Sequence, residues 1–287
     1  MLKITNLSLK INNKQILENI SFEVKKGDIF CVLGKNGAGK SILIKTILGI
    51  YDQFEGIIII DGMNIELKPR NVYLSRIGAL IEQAALYPQL SAYENLSVIS
   101  KYYTDKKIDK KRINEVLEMV GLAQEQSKPV RFFSQGMKQR LGLGMAILHQ
   151  PEIIILDEPN NTLDPEAIIQ LRNLILKLNK EFGCTFLINT HHLEESLKLS
   201  KRFIILKNGQ KVYESDENKA YYLVTYNQAQ WEQHQNEASA EPIGYFTKDE
   251  CRYELFDKKQ EELSAKGLTI STPTAEEIFL AFHHSTL

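Results

Sequence analysis

The stretch Gly34-Lys35-Asn36-Gly37-Ala38-Gly39-Lys40-Ser41 decides the fold. It follows the short apolar run Ile29-Phe30-Cys31-Val32-Leu33 and opens a segment, Lys40 to Leu48, whose pattern predicts a helix stopped by Gly49. A strand, a glycine-rich loop and a helix in that order, with the spacing G-x-x-x-x-G-K-[ST], make a phosphate-binding loop. The glycines let backbone N–H groups turn inward around phosphate oxygens, at a helix N-terminus whose dipole favours anions. In such a loop Lys40 reaches the β- and γ-phosphates of a nucleotide, and the Ser41 hydroxyl ligates Mg²⁺.

Working outward, residues 1 to about 33 read as strands joined by tight turns at Asn12-Asn13 and Lys26-Gly27-Asp28. Ile57 to Ile60 is a further strand, ending at the turn Asp61-Gly62. From about Leu86 to His149 the pattern turns helical. Between Asp109 and Val120, for example, Ile113, Val116, Leu117 and Val120 recur at spacings of three and four. The strand Ile153 to Leu156, a helix around Pro165 to Lys180 and the strand Thr185 to Asn189 follow. Strands alternating with helices predict an α/β fold with a mainly parallel sheet.

The run Ile153-Ile154-Ile155-Leu156-Asp157-Glu158 adds chemistry to that frame. A buried strand delivers two carboxylates where its C-terminal end meets the nucleotide crevice. Asp157 is placed to hold Mg²⁺ through its water shell. Glu158, one position further, suits the orientation and deprotonation of a water in line with the γ-phosphate. Many Asp-Glu pairs only cap loops; a phosphate loop upstream gives this one its meaning.

With 43% hydrophobic and 25% charged residues among 287, the chain has the apolar matter for a core. A net charge of -1 argues against a nucleic-acid partner. No run approaches the roughly 18 apolar residues of a membrane span, and the alternating start MLKITNLSLK lacks the core of a signal peptide. The expected location is therefore cytoplasmic. Cys31, Cys184 and Cys251 show no metal-ligand spacing, and the first two, in strand-like runs, are expected to be buried reduced thiols. Composition shifts near Ser215. Beyond it the pattern predicts strand Tyr221 to Tyr226, helix, strand Arg252 to Phe256, helix, strand Leu268 to Ser271 and a final helix opened by the capping box Thr274 and Glu277.

From residue 2 to about 213 the chain resembles the ABC ATPase family, with every landmark in family order. Phe133-Ser134-Gln135-Gly136-Met137, followed by Lys138-Gln139-Arg140-Leu141, occupies the place of the LSGGQ signature. Pro159 to Pro165, with Asp164, resembles the D-loop, and Asn189-Thr190-His191-His192 resembles the switch-histidine loop, with His191 as the matching histidine. The resemblance implies a P-loop NTPase of ABC type: a mainly parallel core, an N-terminal antiparallel β subdomain and a helical subdomain at about 84–149. It places the ATPase domain at 1–215 and leaves 216–287 as a small accessory α/β domain. It implies ATP and Mg²⁺ as cofactors and a second ATPase subunit. Ser134 and the Gly136 backbone then touch the γ-phosphate held by the partner's loop, and His191 holds Glu158 and the water in place. His192 is expected to face elsewhere, and His283 and His284, near a helix C-terminus, suit partial positive charge.

Departures from the family pattern are informative. Ile11 falls where an aromatic normally stacks on adenine, and Ile42 replaces the threonine after Lys-Ser. Gln135 and Met137 replace a glycine and a glutamine of the signature. Glu82 takes the Q-loop position, where it is expected to ligate the metal, and Gln83 beside it is the other candidate for the Q-loop residue. A glutamate there, with Leu86-Tyr87-Pro88-Gln89-Leu90-Ser91 behind it, is similar to the bacitracin-exporter and lantibiotic-immunity branch. That branch implies an ATPase subunit powering export of a peptide antibiotic, lantibiotic or other drug through a separate membrane permease, at the inner face of the cell membrane. Tyr87, Tyr93, Tyr102 and Tyr103 fit either a permease-docking surface or core packing. A non-transport ABC protein acting on nucleic acid or ribosomes, and a nucleotide-binding module without turnover, are the competing readings.

Overall fold

Strands β1 (Leu2–Ile11) and β2 (Lys14–Val24) form one antiparallel hairpin. Its turn residues Asn12 and Asn13 take φ of 50° and 62°, a region that asparagine tolerates better than most side chains. The computed structural model describes residues 1–103, 108–215, 221–234, 241–249, 251–257 and 268–284. After the hairpin come β3 (Ile29–Leu33), α1 (Lys40–Ile47), β4 (Phe54–Ile60), β5 (Met63–Asn64), α2 (Arg70–Leu74) and β6 (Ile77–Ile81). Three helices follow, α3 (Ala92–Ser100), α4 (Lys110–Met119) and α5 (Gln135–Ile147). The chain then returns to the sheet through β7 (Ile153–Asp157), α6 (Pro165–Phe182), β8 (Thr185–Thr190), α7 (Leu193–Leu199), β9 (Arg202–Lys207) and β10 (Gln210–Glu214).

These strands make one ten-stranded sheet in the order β5-β4-β1-β2-β10-β9-β3-β8-β7-β6. The half from β9 to β6 is parallel; β5, β4, β1 and β2 are antiparallel. Every residue of β3, β7 and β8 is buried, which is why their centres read as short apolar runs without alternation. Helix α6 shows its ends plainly: Asp164 caps it, Pro165 opens it, and Gly183 at φ 65° stops it.

Several strands escaped the sequence pattern. β6 carries Gly78, where a Cβ would lie 2.1 Å from the Ala146 carbonyl oxygen. Helix α5 therefore rests directly on the β6 backbone, and close approach replaced side-chain alternation there. β9 and β10 are a hairpin through Asn208-Gly209, both at positive φ.

The C-terminal segment builds a second, antiparallel sheet in the order β12-β13-β11-β14, from β11 (Tyr222–Tyr226), β12 (Gly244–Lys248), β13 (Cys251–Phe256) and β14 (Thr269–Ser271). Helices α8 (Gln228–His234) and α9 (Ala275–His284) accompany it, and Thr274 and Glu277 make the reciprocal bonds of a capping box. The strand β12 had no reading in the sequence. The helix read between Phe256 and Leu268 falls on 258–267, outside the described residues, as do the side chains of His283 and His284. This sheet packs against the large one: the Tyr213 ring lies 5.2 Å from Tyr221 and 5.7 Å from Phe282, within one continuous apolar cluster.

All three cysteines are free thiols. Cys31 is fully buried, and burial pushes its thiol up to about 12. Cys184 is only partly buried, less than its strand-like context suggests. Among the described residues no helix is long and apolar enough to cross a membrane.

Candidate functional site

The glycine loop is clamped from the side of β2 and the β9–β10 turn. A Cβ on Gly39, at φ 100°, would come 2.9 Å from Leu17 Cδ2, and the Gly209 N–H donates to the Ala38 carbonyl at 3.0 Å. Gly39 caps α1 without a side-chain acceptor, so the first-turn N–H groups stay available to an anion. Lys35, Asn36 and Gly37 are exposed on the loop, while Gly34 and Ala38 are buried. Lys40 is only 5% exposed; its Nζ donates to the carbonyls of Gly34 at 2.8 Å and Lys35 at 3.2 Å.

Parallel pairing then sets three segments side by side. Asp157 at the end of β7 is in register with Ile81 of β6 and Asn189 of β8. Asp157 Oδ1 accepts from Ser41 Oγ at 3.3 Å and from Asn189 Nδ2, while its buried Oδ2 has no hydrogen-bond partner. Burial pushes the Asp157 carboxyl above the usual carboxylate range. The Asn189 and Ser41 bonds pull it back, and the charges of Glu158 and Glu82 raise it further. A buried carboxylate oxygen without a donor is costly. A hard cation would satisfy it, and the hydroxyl and carboxylate oxygens of Ser41 and Asp157 are the donor types that Mg²⁺ prefers. The residues fit the ion.

Glu158 lies one residue on, at φ 49°, a left-handed conformation that costs a non-glycine residue about 1 kcal/mol or more. Its N–H donates to the Asn189 carbonyl at 2.8 Å, which fixes the turn. Glu158 Oε1 pairs with Lys40 Nζ at 3.5 Å and Oε2 with His191 Nδ1 at 2.9 Å. One carboxylate thus joins the phosphate loop to the histidine segment.

His192 departs from expectation. Its ring does not face elsewhere but leans on His191, with ring centres 4.0 Å apart at a tilt of 36°. Burial holds its imidazole below the ordinary histidine value, helped by the nearby His191, while Glu158 and Glu195 oppose the shift. The cause is local: both histidines leave β8 before α7 begins, and no turn separates them.

Glu82 and Gln83 diverge. The Glu82 N–H donates to the Asp157 carbonyl at 3.3 Å, and its charge reaches Asp157. Gln83 instead lines a cavity of about 190 Å³ with Leu86, Gln139 and Leu163, between the helical segment and the loop after β7.

Ser134 and Asp164 each cap a helix, and the starts of those two helices approach one another. Ser134 is exposed and caps α5, accepting from the Met137 N–H at 3.2 Å. Asp164 caps α6, accepting from Ala167 N–H at 2.7 Å, and a Cβ on Gly136 would stand 2.9 Å from Ala167 Cβ. None of the described hydrogen bonds joins Ser134, Gly136 or Asp164 to the glycine loop of the same chain. Ile11 and Ile42 are both half-buried against the N-terminal core, and a Cβ on Gly39 would meet Ile16, Leu17 and Gly209, the first two across the turn from Ile11. Of the tyrosines, Tyr87 and Tyr102 are exposed, Tyr93 packs on the core, and Tyr103 stacks on His149 at 4.1 Å.

Sequence reading missed Asn189 as a member of this cluster. It is fully buried, and an amide directly after the apolar run Phe186-Leu187-Ile188 was the available signal.

A family model described as "ABC transporter" matches residues 17–161. The bacitracin transport ATP-binding protein BcrA of Bacillus licheniformis is 41% identical, covering 75% of this chain and 69% of its own. The lantibiotic transport ATP-binding protein SrtF of Streptococcus pyogenes is 37% identical, over 76% of this chain and 93% of its own. A solved dimeric ATP-binding cassette in a post-hydrolysis state, bound to ADP and Pi, superposes with a TM-score of 0.65 at 27% identity. It covers 75% of this chain and 97% of the other.

Proposed function

The chain belongs to the ABC transporter family, and from that premise we propose that it is the ATP-binding, ATP-hydrolysing subunit of an exporter. The cargo is a peptide antibiotic, lantibiotic or related drug, a reading supported by relatives that carry bacitracin and lantibiotic transport in their names. One observation carries the ATPase reading: Glu158 is held between Lys40 and His191, beside the Asp157 and Ser41 oxygens.

In this reading the N–H groups of residues 34–41 cradle the phosphates, and Lys40 leaves its loop carbonyls for the β- and γ-phosphate oxygens. Ser41 and Asp157 would hold Mg²⁺, which would supply positive charge to the phosphates. Glu82, whose negative charge is felt at Asp157, would serve as a further carboxylate toward that ion. Glu158 accepts a proton from the attacking water as its oxygen bonds to the γ-phosphorus and the bond to ADP breaks. His191 holds the carboxylate of Glu158 in position.

The exposed face of Ser134, Gly136 and Asp164 suits the nucleotide of a second ATPase subunit. A separate permease brings the pair to the inner face of the membrane. Residues 1–215 act as the ATPase domain, and 216–287 form an accessory domain docked on it.

Affinity purification of the tagged chain from membranes tests this reading. The expected companion is a hydrophobic integral protein of about six spans, each roughly 20 residues long, and cells lacking it should lose resistance to the exported compound. Recovery of ribosomes or nucleic acid in its place would overturn the transport assignment.

A further inference from the structure

The side chains of Glu158, His191 and His192 offer one donor atom each, and these atoms lie within 4.8 Å of one another. We propose that they form a binding site for a borderline divalent transition ion of the Zn²⁺ class, and that its occupation switches off hydrolysis. The site is distinct from the oxygen pair of Ser41 and Asp157.

The donor set selects the metal. Two imidazoles and one carboxylate suit Zn²⁺, Co²⁺ or Ni²⁺, whereas Mg²⁺ prefers oxygen donors alone. Three protein ligands with one open position is also a recurrent zinc arrangement. Bonds of about 2.0–2.1 Å in a tetrahedron place ligand atoms about 3.3 Å apart. Glu158 Oε2 and His191 Nδ1 already stand at 2.9 Å, so one carboxylate–imidazole edge is in place. The third donor belongs to a ring already packed on His191 at 4.0 Å.

The backbone beneath them is fixed. The Glu158 N–H donates to the Asn189 carbonyl at 2.8 Å, and the His192 N–H donates to Thr190 Oγ1 at 3.1 Å. Both ligand segments are therefore positioned before a metal arrives, which limits the ordering that binding requires. His191 and His192 are half-buried and Glu158 is 12% exposed, so an ion can enter from solvent. Lys40 pairs with the other carboxylate oxygen, Oε1, at 3.5 Å, which leaves Oε2 facing the histidine side.

An ion here would take the lone pairs that Glu158 needs to accept a proton, so hydrolysis would stop although ATP still binds. That inhibition rests on the role of Glu158 proposed above. The binding itself does not.

The test uses the full chain without nucleotide and Co²⁺ as the probe, read by its visible d–d bands and displaced by Zn²⁺. Wild type should bind one ion per chain. His192→Asn and Glu158→Gln should each weaken binding roughly tenfold or more, since loss of even an outer partner commonly costs that much. His192→Asn should retain Mg²⁺-dependent ATPase activity while losing inhibition by Zn²⁺. Absence of Co²⁺ bands in wild type, an unchanged spectrum in either variant, or equal Zn²⁺ inhibition of wild type and His192→Asn would overturn the proposal. Should Glu158→Gln lose Co²⁺ yet hydrolyse ATP normally, the metal site would stand and the catalytic reading of Glu158 would fall.

Discussion

His191 Nδ1 lies 2.9 Å from Glu158 Oε2, and this bond spans two segments, the ends of β7 and β8, that parallel pairing has already set side by side. Its consequence is that the carboxylate is aimed before any nucleotide binds. Glu158→Gln keeps the side-chain shape but removes the accepting charge. ATP turnover should fall by roughly 10² or more while ATP still binds. ATP-dependent dimers should also accumulate on a sizing column. Near wild-type turnover would remove Glu158 from the role of base.

Asn189 is a positioning residue in the same cluster, since its Nδ2 donates to Asp157 Oδ1. Asn189→Ala should leave Asp157 free to rotate and raise the Mg²⁺ concentration needed for half-maximal ATPase activity by about tenfold, as outer-shell losses do. The maximal rate at saturating Mg²⁺ should change far less. A uniform loss of rate at every Mg²⁺ concentration would point to misfolding instead.

The raised carboxyl of Asp157 has a stability signature. Because the folded state favours the protonated form, the stability this group contributes is complete below the unfolded value, about pH 4, and is lost as pH rises through the elevated folded value. Asp157→Asn should therefore stabilise the Mg²⁺-free, nucleotide-free chain by about 1 kcal/mol near pH 7, the scale of an unpaired buried polar group. The urea midpoints of the two chains should converge as pH falls toward 4, provided both remain folded there. Activity should be lost at all pH values. A variant less stable than wild type at pH 7 would contradict the account.

Glu82 and Gln83 can be separated by function because they meet different neighbours. Glu82→Gln should leave the ATPase activity of the isolated subunit within a few fold but change export or resistance more, if its charge near Asp157 relays phosphate loss. Unchanged transport in Glu82→Gln, together with lost transport in Gln83→Ala, would hand the coupling role to the residue lining the cavity toward the helical segment.

Ile11 lacks the ring expected to stack on adenine. Discrimination between ATP and GTP should be weak, and Ile11→Tyr should tighten ATP binding by about 1 kcal/mol. No change in equilibrium affinity would mean that Ile16 or another side chain on the same hairpin supplies the platform.

The parallel core was legible because fully buried strands leave an unmistakable trace: Ile29 to Leu33 and Ile153 to Leu156 are apolar throughout, and each ends at residues with obvious phosphate or metal chemistry. The meeting of Lys40 with Glu158 and His191 followed from where those strands end. β6 was harder to read, since Gly78 serves an approaching helix rather than a sheet face. β12 hid because only Gly244 and Phe246 of its five residues are buried and Thr247 and Lys248 end it exposed. Asn189 and His192 were missed for another reason. Their neighbours lie across the sheet or around a ring, and no spacing along the chain encodes such contacts.

Tyr213 lies in β10, the last strand the chain adds to the large sheet, and at the same time carries Tyr221 and Phe282 on its ring. Anyone trimming this protein to a minimal motor at residue 215 would strip that ring, and Phe203 beside it at 5.5 Å, down to bare aromatic surface. The shortened chain would be sticky rather than merely smaller, prone to self-association through a newly exposed patch. Helix α9 also packs on α7, which begins directly after His192, so removing the tail would also bare the helix that follows the two histidines.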